Sequence, residues 1–194
     1  MKTLNYISQL FLILIMGAVY SAAAQIDEIT VPADVRPFVG DEMSVIALAS
    51  ADLNGDGTTD HVLVVEKTTS NRKIQGDDQR TLMIIIRVGG KLKLAKTNSN
   101  VVYCRSCGGA FGDPFAGLVA KRNSFTVDNY GGSSWRWSES YKFSYSRRDR
   151  TWQLVMVASD SFNALDPNVS KTRVRTPKSF GKIDIADFDT GKIK

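Results

Sequence analysis

Trp135-Arg136-Trp137-Ser138-Glu139-Ser140-Tyr141-Lys142-Phe143-Ser144-Tyr145-Ser146 alternates ring and polar side chains along its whole length. Trp135, Trp137, Tyr141, Phe143 and Tyr145 fall on one face, interrupted only by Glu139, while Arg136, Ser138, Ser140, Lys142, Ser144 and Ser146 fall on the other. A period of two sends successive side chains to opposite sides of an extended chain, so the stretch is a strand with one buried and one wet face. Arg147-Arg148-Asp149-Arg150 supplies a polar turn, and Thr151 to Val157 returns with Trp152, Leu154 and Met156 in register.

The same punctuation extends outward in both directions. Leu118 to Lys121 and Ser124 to Tyr130 read as a hairpin around Arg122-Asn123. Further upstream, His61 to Glu66 (HVLVVE) and Thr81 to Val88 (TLMIIIRV) are rich in β-branched residues. The second is the most apolar run and is expected to be central and buried on both faces. Gly89-Gly90 turns it into Lys91 to Lys96, and the polar stretch from Thr68 to Arg80 reads as a long hairpin connection. Pro32 and Pro37 keep any helix near the start short, and the stretch from Ser159 onward reads as loops with a short strand near Arg173. Roughly seven or eight strands joined by short turns predict a mainly β fold, a single antiparallel meander or sandwich domain.

Composition sets the compartment. Met1-Lys2, an apolar run from Leu10 to Tyr20 and then Ser21-Ala22-Ala23-Ala24 have the form of a secretory leader cleaved before Gln25. A membrane-spanning helix needs about 20 apolar residues, and this run is shorter. No cysteine stands at the cleavage point to carry a lipid, so a periplasmic or secreted product without a transmembrane segment is expected. Residues 25–194 form one domain by length, with no Pro/Ser-rich linker to divide them.

The formal charge of +5 falls to +4 without Lys2, and it is unevenly spread. Nine acidic residues stand against Arg36 alone between Gln25 and Glu66, a segment of −8 facing +12 in the remainder. The expectation is that the two regions neutralise each other across the fold, and no nucleic-acid partner is expected.

Between the strands around Ser44 to Ala51 and His61 to Glu66 lies Asp52-Leu53-Asn54-Gly55-Asp56-Gly57-Thr58-Thr59-Asp60, the pattern DxNxDGxxD. Alternate side chains of a tight loop can converge on one centre, and a hard cation such as calcium takes six to eight oxygen ligands. Gly57 permits the sharp turn after which the carbonyl of Thr58 can join the shell. An EF-hand requires glutamate at the twelfth position of the loop, and here that position is Leu63, which excludes it. The loop resembles the β-hairpin calcium site of the FG-GAP and VCBS repeat proteins, in which an aspartate at the ninth position closes the shell. That resemblance implies Asp52, Asn54, Asp56 and Asp60 as side-chain ligands and Thr58 as a carbonyl ligand. It covers Ser44 to about Thr68 and occurs once, so a many-bladed propeller is not expected. The runs CRSCGGAFGDPFAGLV (104–119), YGGSSWRWSESYKFSYSRRDRTWQLV (130–155) and TPKSFGKIDIADFD (176–189) resemble a group of uncharacterised exported bacterial proteins that pair this loop with such aromatic strands. This second likeness implies export and a single domain, and brings no activity.

Cys104 and Cys107 are the only cysteines and His61 the only histidine, so Cys and His alone cannot build a four-ligand zinc site. In an oxidising compartment the pair is expected to close a structural disulfide. A thiol oxidoreductase would open a helix at its CxxC, and Gly108-Gly109 comes next here instead. A serine triad lacks a GxSxG partner for His61. Asp113 and Glu139 are the uncommitted acids, and Glu139 is expected at an edge or paired with an arginine. The residues support two functional readings: a calcium-binding module for an envelope protein or glycan, with Trp135, Trp137 and Trp152 beside Arg136 and Arg148 as candidate groove residues, or a calcium-assisted hydrolase using Asp113 or Glu139; the regular alternation favours the three tryptophans as core over the groove.

Overall fold

Alternation of apolar and polar side chains becomes pleated sheet throughout the computed structural model, which describes residues 29–68 and 79–193. The leader over residues 1–24 and most of the connection after Thr68 lie outside the described residues. Four strands, β1 (Met43–Ala51), β2 (Asp60–Lys67), β3 (Arg80–Val88) and β4 (Lys91–Asn98), form one antiparallel meander. Five more, β5 (Phe115–Lys121), β6 (Ser124–Gly132), β7 (Trp135–Ser146), β8 (Thr151–Asn163) and β9 (Asp166–Arg175), form a second in chain order.

The sheets share one core, so the architecture is a sandwich. Val62, Val64, Leu82 and Ile84 of the first sheet pack with Phe125, Val127, Tyr141, Phe143, Leu154 and Val157 of the second. On the outer face of the first sheet, Leu63, Val65 and Ile85 are covered by Val35 and its neighbours Val31, Phe38 and Val39. The covering segment bends at Pro32, whose carbonyl accepts from Val35 N, and passes through a single 3-10 turn at Arg36–Phe38. β3 is interior as its composition predicts. Yet β2 is the strand buried along nearly its whole length, because both clusters meet on it.

The structure differs from the sequence reading at two strands of the second sheet. β8 carries a bulge where Lys142 faces Met156 but Phe143 faces Leu154, leaving Val155 as the extra residue. One extra residue reverses the facing of everything beyond it. Trp152 and Leu154 point into the core, and then Val157 takes the place expected for Met156, which is only half-buried. The second difference is β9, a ten-residue strand where a short one was expected. Beyond it the chain makes one helical turn, α1 (Pro177–Phe180), then inserts Ile183, Ile185, Phe188 and Ile193 into the core. Asn98 Nδ2 holds that tail by donating to the carbonyls of Ile185 (2.8 Å) and Phe188 (2.9 Å).

Candidate functional site

Ala51 pairs with Asp60 across β1 and β2, so the DxNxDGxxD segment is the hairpin connection itself. Its side chains tie the loop from within. Asp52 Oδ1 accepts from Gly55 N at 2.7 Å and its Oδ2 from Gly57 N at 3.1 Å, with Arg122 Nε 3.4 Å away. Gly55 and Gly57 both have left-handed φ (78° and 88°), which supplies the two bends. Asn54 Oδ1 accepts from Asp56 N, and Asn54 Nδ2 donates to Asp56 Oδ2, each at 2.9 Å. Asp56 Oδ1 accepts from Thr58 N (2.8 Å) and Thr58 Oγ1 (2.6 Å).

Asp60 differs from the rest because it is fully buried. Its carboxylate accepts from Leu53 N (3.0 Å) and from Arg87 N of β3 (2.9 Å). Burial pushes its pKa upward, the two N–H donors pull against that, and the nearby charges of Asp56 and Asp52 push it up further. Asp56 is held below the usual range by Thr58 and Asn54. His61, next along the strand, is lowered by burial and bonds Ser50 Oγ through Nδ1 at 2.8 Å.

Every candidate ligand atom on the loop is an oxygen, as a hard cation requires. The five predicted ligands therefore stand on one loop, with Asp60 close enough to Asp52 and Asp56 to feel both charges. They are not gathered at ligand distance: among the described residues no three acidic, histidine or cysteine side chains are placed to hold a metal ion. Asn54 and Asp56 are closed on each other instead, and gathering them requires rotation of side chains at the solvent edge.

No family model matches this chain, and no curated protein or solved structure does.

The glycine-rich segment after β4 forms a packed turn on the second sheet. Gly132 N donates to Gly108 O at 2.9 Å and Ala110 N to Gly132 O at 3.0 Å. A side chain at Gly131 would stand 2.7 Å from the Trp137 ring and 2.9 Å from Gly108 O, so the close approach requires glycine there. Cys104 and Cys107 lie at disulfide distance within this turn, Cα to Cα 5.2 Å, and no helix begins at the CxxC.

Beneath the turn is an ion network with no trace in the sequence motifs. Arg80 is 1% exposed. Its Nε donates to Glu66 Oε2 at 3.0 Å, and its two terminal nitrogens donate to Asp113 Oδ1 (2.6 Å) and Oδ2 (2.5 Å). Arg105, between the cysteines, adds a second partner to Glu66. Burial raises both carboxyls, but the arginine hydrogen bonds outweigh it and hold Glu66 and Asp113 below their ordinary values. Acids of the N-terminal segment are also met by later arginines at Asp34–Arg87 (2.7 Å) and Asp52–Arg122 (3.4 Å). Asp34, Asp52 and Glu66 are thus paired with arginines of the later segment.

The candidate groove residues do not act together. Trp152 is core, 2% exposed, whereas Trp135 is 53% exposed at the start of β7. Arg136 faces away from Trp137, donating to Tyr130 Oη at 3.0 Å and lying 4.0 Å over the Phe111 ring. Trp137 is half-buried against Tyr103, ring centroids 5.4 Å apart and nearly perpendicular. Among the described residues Glu139 pairs with no arginine. It accepts instead from the hydroxyls of Tyr103 (2.5 Å) and Tyr141.

Proposed function

We propose that this chain is a calcium-stabilised β-sandwich domain that acts as a non-enzymatic binding module in the cell envelope or outside the cell. Asp60 carries the metal half of the reading: a fully buried carboxylate, raised by its own burial and by two neighbouring carboxylates. A divalent cation relieves both penalties at once. The spacing shared with the FG-GAP and VCBS loops supports the same ligand set.

Asp52, Asp56, Asp60, the amide oxygen of Asn54 and the carbonyl of Thr58 would hold the ion. A carboxylate oxygen has more than one acceptor site, so Asp52 and Asp60 keep their amide hydrogen bonds while ligating. Asp56 and Asn54 release each other. The ion supplies charge neutralisation and a rigid hairpin. The binding half of the reading is supported by the occupation of the acids that a hydrolase would use, Asp113 by Arg80 and Glu139 by two tyrosines. The leader-like start and the cysteine pair support an oxidising location.

Thermal melting in calcium, magnesium and chelator tests the metal reading. Extracellular sites commonly have dissociation constants of about 0.1–1 mM. A tenfold excess of calcium then adds about 1.4 kcal/mol, a rise of roughly 3–6 °C, while magnesium adds little because it holds its water. The Asp56→Ala variant folds and loses the calcium-dependent rise. A wild type whose melting is unmoved by calcium or chelator, with no heat of binding at millimolar calcium, overturns the reading.

A further inference from the structure

We propose that the inner face of β7, β8 and β9, where it leaves the core, is a binding site for an acidic saccharide. This rests on the binding-module reading and names the ligand class. The register lays three rows across these strands: Tyr141–Val157–Arg175, then Glu139–Ser159–Arg173, then Trp137–Ser161–Lys171. Directly opposed residues share a face, so all three rows look the same way as the core. The first row is core at Tyr141 and Val157, 2% and 0% exposed. β7 and β8 run to 12 and 13 residues against 8 or 9 in the first sheet, and the next two rows emerge beyond it. A face that is apolar inside therefore turns into a tryptophan, two serines, Glu139 and two cations, which with Arg175 at the end of the first row surround a cavity of about 310 Å³.

Its chemistry is unsatisfied in one direction. Ser159 Oγ and Arg175 Nε are buried atoms with no hydrogen-bond partner among the described residues. A buried donor without a partner costs about 1–3 kcal/mol, so both are suited to a ligand that accepts. Lys171 and Arg173 are exposed and take part in none of the ion pairs among the described residues. Lys171, Arg173 and Arg175 occupy alternate positions of one strand, spaced about 7 Å apart by strand geometry. Glu139 lies in the middle row, where its carboxylate accepts from the Tyr103 and Tyr141 hydroxyls and forms no ion pair with these cations among the described residues.

Cations alone would suit any anion. The other groups select a sugar. Trp137 offers an aromatic surface of the kind on which sugar C–H groups pack. Glu139 of the middle row also lines the cavity. A carboxylate there accepts from sugar hydroxyls, and so do the hydroxyl oxygens of Ser159 and Ser161. Anion-binding side chains, an aromatic face and hydroxyl acceptors together fit a chain of uronic acids.

The test is isothermal titration of the full mature chain with trigalacturonate, a mannuronate trimer and a hyaluronan tetrasaccharide. Galactotriose, inorganic phosphate and a short single-stranded DNA serve as comparisons. Each titration is run with calcium and with chelator, so that failure of the metal reading and failure of this one are seen separately. At least one acidic oligosaccharide should bind in the submillimolar range, more weakly as salt rises, and perturb tryptophan fluorescence. Galactotriose and phosphate should bind at least tenfold more weakly. Arg173→Gln combined with Lys171→Gln, at exposed positions, should lower the affinity at least tenfold with the melting temperature unchanged. The proposal is overturned if none of the three acidic sugars binds below 5 mM, if the double variant binds as wild type does, or if phosphate or DNA binds as well as the sugars.

Discussion

Trp152 of β8 donates its indole Nε1–H to the carbonyl of Leu53, 2.9 Å away in the β1–β2 loop. The two residues are 2% and 0% exposed, so the bond is out of water, and it pins the candidate metal loop onto the opposite sheet. Asn123 N reinforces it by donating to Asp52 O at 2.8 Å from the β5–β6 turn. The loop is therefore held by the sandwich as well as by its own side chains.

Trp152→Phe keeps an aromatic ring but leaves the Leu53 carbonyl buried without its donor. The loss is expected to be about 2 kcal/mol, combining an unmade buried hydrogen bond with a smaller ring. Urea unfolding followed by circular dichroism measures it. A midpoint within error of wild type would mean that the carbonyl finds another donor.

The Glu66–Arg80–Asp113 network gives the domain an acid sensitivity whose sign is fixed. Both carboxyls have folded pKa values below their ordinary 4.5 and 3.8. Groups lowered in this way stabilise the fold above their unfolded values and lose that contribution as pH falls through the folded ones. Stability should fall as the medium is taken from pH 5 to below 4. In Arg80→Met Asp113 loses the partner that chiefly lowers it and Glu66 keeps only Arg105, so the variant is less stable at pH 7 and its melting temperature depends less on pH across that window. An unchanged slope would show that Arg80 does not set it.

How much of this was legible beforehand depends on how far apart the interacting residues are in the chain. The alternation in Trp135 to Ser146 gave the strand directly, and Gly89-Gly90, with φ of 58° and 78°, gave the β3–β4 turn, because both signals are local. Arg80 and Asp113 are 33 positions apart, and nothing local distinguishes that arginine from any other. Val155 was invisible as a bulge, since TWQLVMV alternates plausibly in either phase, and its insertion is what turns Ser159 and Ser161 inward. The candidate ligands of the loop were legible in their order. The closure of Asn54 on Asp56 was not, because it depends on rotamers.

Cys104 and Cys107 enclose a short loop, so their bond should add about 2 kcal/mol by the loop-entropy estimate. Replacing both with serine should lower the melting temperature by several degrees, and Arg105 would lose the restraint that holds it beside Glu66. Protein taken from an oxidising compartment should show no thiol to a labelling reagent until it is denatured and reduced. Labelling of both native cysteines would count against the bond.

Tyr103 and Glu139 line the β7–β9 cavity and form a compact cluster with the buried Tyr141, the two hydroxyls 3.0 Å apart and both donating to the same carboxylate oxygen. Burial pushes Tyr103 from 10.0 up to about 12, with Glu139 adding to the effect. Tyr141 moves further in the same direction, first by burial and then by Tyr103 and Glu139. A phenol raised in this way stabilises the fold fully below its unfolded value near 10, and the contribution is lost as pH rises through the folded value. Ultraviolet titration should therefore show a tyrosine step delayed to about 12 or to alkaline unfolding. In Tyr141→Phe the carboxylate loses one donor and Tyr103 one hydroxyl neighbour, so stability at pH 7 should fall by about 1.5–3 kcal/mol for a hydrogen bond to a charged group. The delayed ionisation should persist at Tyr103, since its burial and its bond to Glu139 remain. A wild-type titration in which every tyrosine ionises together near pH 10 while the domain stays folded would show that the cluster is open to water.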